Sequence, residues 1–491
     1  MQARRFLLPL AAALAAGCAA VPAERGVPAV RALVEARGRP APAATGADVE
    51  ALTDTLLRRP LGADDAVTVA LLRNPRIKAG YAHLGIAAAE IYDAGRMGNP
   101  VLAASWNSSS RGGDAVRRTF GLTQSVVDLV MLGARTRLAR DGFERTQREV
   151  AAAVLDLAAE AEAAWFAFAG AGQMARMREV MARGAQAAAE LGRRFHAAGN
   201  LADLELLLQE AAAVQAQLDS TRAQAAEADA RAALARAMGV APGTHWTIEP
   251  ALPLPPPVED APEVLAALAL ESRLDLAAAA RDVQLLAQAL DTTRRYRLLG
   301  VVEVGIERER ETDGTRLTGP SIRLGLPVFN QGHGAVERAR ARLEAAQAEH
   351  DRLDLQMRTN VAAASARVHA QRAIAEQYRA SLVPLRERIV QRSVELQNYM
   401  LIGQFELLQA KGQEYAAYAG YLEALRDYWL ARVDLAREVG ARLPSQDDVG
   451  PGSAEAVRLP QSVPEQDHHA HGAGGDHAPA ANGEHVHPGA E

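Results

Sequence analysis

The middle of the chain repeats itself at a distance of about 200 residues, and this duplication restricts the possible folds more than any other feature. Matching stretches occur in the same order in both halves: 72–79 with 270–277, 125–128 with 327–330, 133–134 with 334–335, and 195–209 with 399–409. Four matches in one order indicate a duplicated structural unit. We therefore predict a first repeat at 49–249, a Pro-rich connector at 250–262 and a second repeat at 263–441.

Each repeat is predicted to contain a helix, two strands, a very long helix, a tight break and a final helix. Helical apolar stripes predict long helices at about 134–195 and 334–397, and Pro384 predicts a kink in the second. About 60 residues at 1.5 Å per residue give roughly 90 Å, which is too long for the core of a globular domain. Such helices form coiled coils or the wall of a tube, although an isolated rod would leave the strands unexplained. The stripes comprise Leu157, Ala161, Trp165 and Phe168, then Tyr378, Leu382, Leu385, Ile389 and Leu396.

Four segments alternate between apolar and polar residues, which predicts strands at about 101–107, 117–127, 299–309 and 316–328. Each is close to the 9–11 residues of a tilted transmembrane strand. A small soluble sheet with one solvated face would show the same alternation. Four strands cannot close a barrel and an open edge is not tolerated in lipid, so membrane-spanning strands would require several chains. Two chains would supply eight strands and three would supply twelve.

Composition and motifs exclude several function classes. The chain is 49% hydrophobic but only 4% aromatic, and its many alanines favour closely packed helices over a dense enzyme core. The net charge of −6 gives no basic surface for nucleic acid. The sequence contains no phosphate-binding loop, no nucleophile elbow and no His/Cys cluster on a predicted helix or strand. We therefore predict no catalytic residues and no enzymatic activity.

The N-terminal segment predicts export. Two arginines, a short apolar run and small residues at 1–17 are typical of a signal peptide, and the only cysteine, Cys18, follows directly. This arrangement resembles a bacterial lipoprotein box, which implies lipidation at Cys18 and an anchor that does not span the membrane. An ordinary signal peptide with a chance cysteine is the alternative. Residues 18–48, rich in Pro, Ala and Gly, are predicted to be a lipid-anchored linker.

The other end, 442–491, has the composition of a disordered tail. Its histidines and interleaved acids could bind Cu²⁺, Zn²⁺, Co²⁺ or Ni²⁺ weakly, as a low-specificity chelator, and no other cofactor is predicted. A merely solubilising tail is the alternative. The six histidines are His468, His469, His471, His477, His485 and His487.

Four stretches together resemble the TolC-type outer-membrane efflux family: 64–75, 324–330, and the two glycine-containing breaks near Gly199 and Gly403. The resemblance covers about residues 60–440. It implies a mainly α fold with a small membrane β-barrel: a homotrimer with a twelve-stranded barrel in the outer membrane and a long α-helical barrel crossing the periplasm. It also implies partners, namely outer-membrane lipid, a periplasmic adaptor (membrane fusion) protein and an inner-membrane pump of the RND type.

Residues 382–390 and 399–410 resemble members associated with heavy-metal resistance, which implies metal cations as possible cargo. The resemblance assigns the periplasmic tip and adaptor contact to the two breaks. It assigns a lumen gate to acids and one glutamine just after them, where a ring of carboxylates would attract cations. Acids that complement the helix dipole are the alternative. The tip residues are Gly199, Asn200, Leu201, Gly403, Gln404 and Phe405, and the gate residues are Asp203, Glu205, Glu406 and Gln409.

Two functions remain open from the sequence. The first is a passive export duct, lipid-anchored in the outer membrane and extending into the periplasm, with its energy supplied by a pump. The second is a lipid-anchored periplasmic coiled-coil protein that scavenges metal through its tail and forms no pore. Membrane fractionation and single-channel conductance distinguish them.

Overall fold

A computed structural model describes residues 25–41, 47–108, 116–249, 251–298 and 300–446. The predicted signal peptide, Cys18 and all six tail histidines lie outside the described residues. Within the described part, helices α1 (Val27–Glu35) and α2 (Ala47–Leu57) precede the elements that are duplicated, although α2 falls within the predicted bounds of the first repeat.

The duplication is visible in the order of the elements. The first repeat comprises α3 (Ala63–Arg73), α4 (Pro75–Ala94), β1 (Val101–Ser108), β2 (Val116–Ser125), α5 (Val126–Ala197) and α6 (Asp203–Met238). The second comprises α7 (Pro262–Ser272), α8 (Leu274–Tyr296), β3 (Val302–Arg310), β4 (Arg316–Leu324), α9 (His333–Gln377), a π-helical turn (Tyr378–Leu382), α10 (Val383–Asn398) and α11 (Gln404–Val439). Each repeat opens with two helices rather than the single predicted helix.

Both of these opening helix pairs are divided by one extended residue, which has nearly the same backbone conformation in the two repeats. Asn74 has φ −64° and ψ 126°, and Arg273 has φ −67° and ψ 116°. The Asn74 side chain donates to the carbonyl of Ala237 at 2.8 Å, and Arg273 donates to that of Glu438 at 2.9 Å. Each dividing residue therefore fixes the C-terminus of the last helix in its own repeat, where carbonyl groups lack helical partners.

The four strands form one antiparallel sheet in the order β1-β2-β3-β4, so β1 and β4 are its edges. The predicted alternation is confirmed, because Leu122 lies between Leu102 and Ile306 in register while Gly121 lies between Ala103 and Glu307. We call the side with Leu102 and Leu122 the apolar face and the other side the polar face. The large side chains of the apolar face are exposed: Leu102, Trp106, Phe120, Leu122, Val304, Ile306, Ile322 and Leu324.

Three predicted strand boundaries were wrong. The second strand ends at Ser125 rather than 127, because the Ser125 hydroxyl accepts from the backbone N–H of Asp128 and so caps α5. The third strand begins at Val302 rather than 299. The fourth ends at Leu324 rather than 328, just before a segment in which Pro327 has no N–H to donate.

The long helices are confirmed, but they differ between the repeats. Helix α5 has 72 residues, about 110 Å, and begins at Val126 rather than near 134. Its counterpart is interrupted after the 45 residues of α9 by the π turn, in which the Val383 N–H bonds to the Tyr378 carbonyl. This irregularity directly precedes Pro384, which cannot donate to the carbonyl four residues earlier. A π turn therefore lies beside the proline that predicted a kink.

The core forms where α5 and α11 meet. The rings of Phe166 and Trp429 stack with centroids 4.8 Å apart, and Trp165 Nε1 donates to the carbonyl of Leu61 at 2.9 Å. All four predicted stripe residues of α5 are buried: Trp165 and Phe168 in this cluster, and Leu157 and Ala161 in a second cluster with α1, α3 and α4. The second stripe behaves differently: Tyr378 and Leu382 pack against the core, whereas Leu385, Ile389 and Leu396 remain exposed.

The segments predicted as linker and tail contribute to the fold. Helix α1, inside the predicted linker 18–48, buries Val30 and Val34 because its apolar residues face α5. Arg39 forms a buried ion pair with Glu162 of α5. At the other end Leu443 and Ser445 are buried, so residues 442–446 belong to the folded part rather than to the tail.

The connector between the repeats is held by a buried polar network. Arg432 of α11 pairs with Glu259 and donates to the Ser445 hydroxyl at 2.6 Å. Burial, together with the hydrogen bond that Tyr428 donates to Glu259, raises the pKa of the Tyr428 phenol, which therefore stays a neutral donor. Trp429 Nε1 donates to the carbonyl of Pro253 at 2.8 Å.

Of the described helices, none combines the length and the apolar content needed to cross a membrane.

Candidate functional site

The first candidate tip is the turn between α5 and α6. The Asn200 N–H bonds to the carbonyl of Phe195 at 2.8 Å and the Gly199 N–H to that of His196 at 2.9 Å, while Gly199 has φ +77°. This pair of bonds is the Schellman arrangement that ends a helix with a left-handed residue. Glycine at 199 fits it because glycine has no Cβ to be strained by positive φ.

The second tip, between α10 and α11, has the same hydrogen bonds around a different residue. The Leu401 N–H bonds to the carbonyl of Leu396 and the Met400 N–H to that of Gln397, both at 2.9 Å. The left-handed residue is Met400, with φ +57°. Gly403 has φ −76° and stands at the start of α11, as Ala202 does before α6. Gly403 is therefore not the counterpart of Gly199: that residue is Met400, 201 residues later.

The two tips contact each other within one chain. The rings of Phe195 and Phe405 approach edge to face with centroids 6.1 Å apart. Leu201 is half-buried and its carbonyl lies 3.0 Å from Nδ1 of His196. Of the predicted tip residues, Phe405 thus joins the two tips and Leu201 packs within the first, while Gly199, Asn200, Gly403 and Gln404 are exposed.

The second tip also has an exposed apolar patch that the sequence reasoning did not single out. Tyr399, Met400 and Leu401 are 77%, 92% and 69% exposed, and we call these three residues the tip patch. The corresponding residues of the first tip are Ala198, Gly199 and Asn200. The signal in the sequence was an apolar Tyr-Met-Leu run in a break where polar turn residues are usual.

The predicted gate residues lie at the starts of α6 and α11. Asp203, Glu205 and Glu406 are in the first turns and Gln409 follows, and all four are exposed. Within the described part of the chain, none of the three acids forms an ion pair, and their position complements the positive end of the helix dipole. Glu205 and Glu406 are counterparts, whereas Asp203 corresponds to Gln404. Their arrangement around a lumen stays a prediction.

Ion pairs within α5 and between α5 and α6 stabilise the first tip. Hydrogen bonds from Arg193 and Arg194 lower the pKa of Glu190, which therefore stays ionised, and Arg193 also bonds Glu210 of α6 at 3.1 Å. The guanidinium thus joins the two helices of the hairpin. The described residues contain no group of three or more His, Cys, Asp or Glu side chains that could hold a metal ion.

Both hairpins expose apolar stripes that no other described element covers. On α6 the exposed residues recur at helical spacing from the tip upward, and on α10 they include the uncovered part of the predicted stripe. Rows of this kind are typical of helices that pack against another copy or partner. They comprise Leu204, Leu207, Leu208, Val214 and Leu218 on α6, and Leu385, Ile389, Val394 and Leu396 on α10.

Comparison with solved structures identifies the fold. The CmeC outer-membrane channel of Campylobacter jejuni matches with a TM-score of 0.63 and 13% identity, over 79% of this chain and 88% of that one. CusC, described in connection with transmembrane channel formation, matches with 0.61 and 14%, over 77% and 92%. The open-state MtrE outer-membrane channel of Neisseria gonorrhoeae matches with 0.59 and 20%, over 77% and 89%. The fold is thus that of outer-membrane channels. No protein-family model matches the sequence, and neither does any curated protein.

Proposed function

We propose that this protein is the outer-membrane channel of a tripartite efflux system, a passive duct that needs no catalytic residues. One observation carries the proposal: a small sheet with an exposed apolar face and two open edges is attached to helical hairpins about 110 Å long. Such a face is suited to lipid, and the hairpins are long enough to line a duct below the membrane. The shared fold with outer-membrane channels supports the same conclusion.

The edges of the sheet favour a homotrimer. Unpaired strand edges are not tolerated in lipid, so β1 of one copy would pair with β4 of the next. Three copies would give a closed twelve-stranded barrel, within the size range of membrane barrels. The exposed stripes on α6 and α10 would be covered in the same assembly, because they lie on the two hairpins that would line a shared helical tube.

The tip is the proposed contact for an adaptor protein, which would join the duct to an inner-membrane pump of the RND type. The tip patch supports this, since exposed apolar residues at the far end of a hairpin are suited to burial against a partner. The proposed lipidation at Cys18 would add a membrane anchor at the N-terminus.

Heavy-metal cations are the proposed cargo. Three copies of Glu205 and Glu406 at the tip would form rings of carboxylates, which attract cations and disfavour anions. The similarity of fold to CusC is compatible with this cargo but shows only the fold. The histidine tail would bind metal near the duct without being part of it.

The central experiment measures assembly and conductance. Purified protein should have the mass of a trimer and should give single-channel currents in planar bilayers. Leu122→Arg, on the apolar face, should cost about 2–4 kcal/mol of stability in the membrane, as should arginine at Phe120, Ile322 or Leu324. Thr123→Arg and Ser321→Arg, on the polar face, are the matched controls and should cost less. A monomeric protein without conductance would instead favour the metal-scavenging alternative.

The tail and the anchor are tested separately. Deletion of residues 464–491 should leave the trimer and its conductance intact and lower the number of Cu²⁺ or Zn²⁺ ions bound in calorimetric titration. Identical titrations would mean that the tail is only solubilising. Cys18→Ala should abolish incorporation of labelled palmitate, and equal labelling of the variant would contradict lipidation.

A further inference from the structure

The apolar face of the sheet carries a cluster of arginines at the end where the strands join in hairpins. Arg118 of β2 pairs in register with Arg310 of β3, which pairs in turn with Arg316 of β4, and Arg308 lies on the same face two residues along β3. All four are exposed. We call them the arginine row. The helices attach at the opposite end of the strands, so the row marks the distal rim of the sheet.

The arginines of the sheet differ by face in whether they have partners. On the polar face Arg117 pairs with Glu309 and Glu311, and Arg323 pairs with Glu303 at 2.6 Å. On the apolar face, no member of the arginine row has a carboxylate within ion-pair distance among the residues that the structure describes. Like charges directly opposite each other on adjacent strands are destabilising. An external anion bound to the row would relieve this repulsion.

The surroundings of the row indicate what kind of anion it would meet. Trp106 lies next to Arg118 in register, and the rungs toward the helices are mostly apolar, with Phe120, Leu122 and Ile306 among them. An aromatic residue between an apolar band and a charged rim is typical of the membrane–water interface. Adjacent strands are about 4.8 Å apart, so three guanidinium groups would span about 10 Å. Guanidinium binds phosphate by two parallel hydrogen bonds.

We propose that the arginine row binds the phosphate groups of outer-leaflet lipid, as carried by the diphosphorylated glucosamine disaccharide of lipid A. This inference rests on the proposed placement of the sheet in the outer membrane. The distal rim is then the end that faces the outside, where these phosphates lie. A trimer would present three such rows around the barrel, each just beyond the apolar band, and would thereby acquire a ring of tightly held lipid.

The test compares two pairs of arginines that carry equal charge on opposite faces. Full-length trimers are titrated with diphosphoryl lipid A in detergent, and bound lipid is counted by native mass spectrometry. Arg118→Gln with Arg310→Gln should weaken binding about five-fold per arginine, hence about 25-fold. Arg117→Gln with Arg323→Gln should change it less than two-fold. Equal binding by the first double variant and the unaltered protein would overturn the proposal.

A second arm keeps the proposal falsifiable if the first double variant fails to assemble. The unaltered trimer is titrated with lipid A from which both phosphates have been removed, and we expect at least ten-fold weaker binding than for the diphosphoryl form. Equal affinity for the two lipids would overturn the proposal. Conductance is measured on the same preparation. A pore without phosphate preference rejects only the arginine row, whereas absence of a pore rejects the proposed function.

Discussion

The two repeats keep the same framework and differ in how they use it. Both divide their opening helix pair with one extended residue that bonds to the end of the last helix, through Asn74 in the first repeat and Arg273 in the second. Among the residues that the structure describes, the second repeat alone has a π turn in its long helix, a non-glycine left-handed residue and an apolar tip. Joints that fix the fold have thus been retained, while a strained left-handed residue and an apolar tip are found in the second hairpin. Such a distribution is expected where one hairpin moves or docks and the other supports it.

The largest expected difference between the repeats concerns two arginines that are counterparts, Arg432 and Arg231. Arg432 is buried in its ion pair with Glu259. Arg231 is exposed, donates to the carbonyl of Trp246 at 3.1 Å and lies over its ring. Arg432→Met should lower the free energy of unfolding by about 3–5 kcal/mol, because Glu259 would be left buried without its main partner. Arg231→Met should cost about 1 kcal/mol.

Denaturant unfolding of detergent-solubilised protein, followed by tryptophan fluorescence, measures both arginine variants. A change in Trp429 fluorescence should accompany the first, because this ring lies beside Arg432. Similar losses for the two variants would show that the connector network contributes no more than an exposed contact.

The next difference concerns the glycines that end α6 and α11. Gly239 and Gly440 both have positive φ, +67° and +78°. A Cβ at 239 would lie 2.8 Å from the Cα of Asn74, whereas one at 440 would lie 3.2 Å from the Cγ and 3.3 Å from the Cα of Arg273, contacts that a shift of a few tenths of an ångström relieves. Gly239→Ala should therefore cost about 2–4 kcal/mol and Gly440→Ala about 1–2 kcal/mol. Thermal unfolding midpoints of the two variants check the order, and a larger loss at 440 would contradict it.

Sequence patterns predicted the existence of the helices and strands better than the residues at which they end or turn. Alternation placed Leu122 and Gly121 on opposite faces because the side-chain period of a strand is fixed. The end of that strand depends on one hydroxyl, that of Ser125, and so could not be read from periodicity. Helix α1 was missed because its two buried valines lie among Pro, Gly and Ala, and their burial depends on α5, far along the chain.

Turn chemistry explains the difference between the two tips. Each break contains a glycine, the residue type that most easily adopts positive φ, and in the first break Gly199 is the left-handed residue. In the second break Met400 takes that conformation while Gly403, three residues later, is extended. A bulky residue is rare at positive φ, so no sequence rule would have selected it. The arginine row was missed for a related reason, since register between strands is needed to bring Arg118, Arg310 and Arg316 together.

Substitutions at the left-handed residues of the two tips should have smaller effects on stability, of opposite sign in the two repeats. Met400→Gly should raise the free energy of unfolding by about 0.5–1 kcal/mol, because glycine removes the strain of positive φ. The gain is reduced by the greater conformational entropy that glycine gives the unfolded chain. Gly199→Ala should lower it by about 1 kcal/mol. Chemical denaturation of the two variants measures both. Destabilisation by Met400→Gly would mean that the methionine makes contacts in the assembled protein that outweigh its strain.

The smallest expected effect is a difference in amide hydrogen exchange between the long helices of the two repeats, with little change in stability. Residues 378–384 contain the π turn and Pro384, while their counterparts 177–183 lie within the unbroken α5. Pro384 has no N–H and therefore donates no hydrogen bond to the carbonyl of Ala380, four residues earlier. This turn should consequently open more readily than regular helix. We expect its amides to exchange hydrogen about five- to ten-fold faster than those of 177–183, measured by mass spectrometry on the assembled protein. Pro384→Ala restores the donor and should slow exchange in the second repeat only. Equal protection of the two segments would mean that the π turn is as rigid as regular helix, and the second hairpin would then lack a hinge at this point.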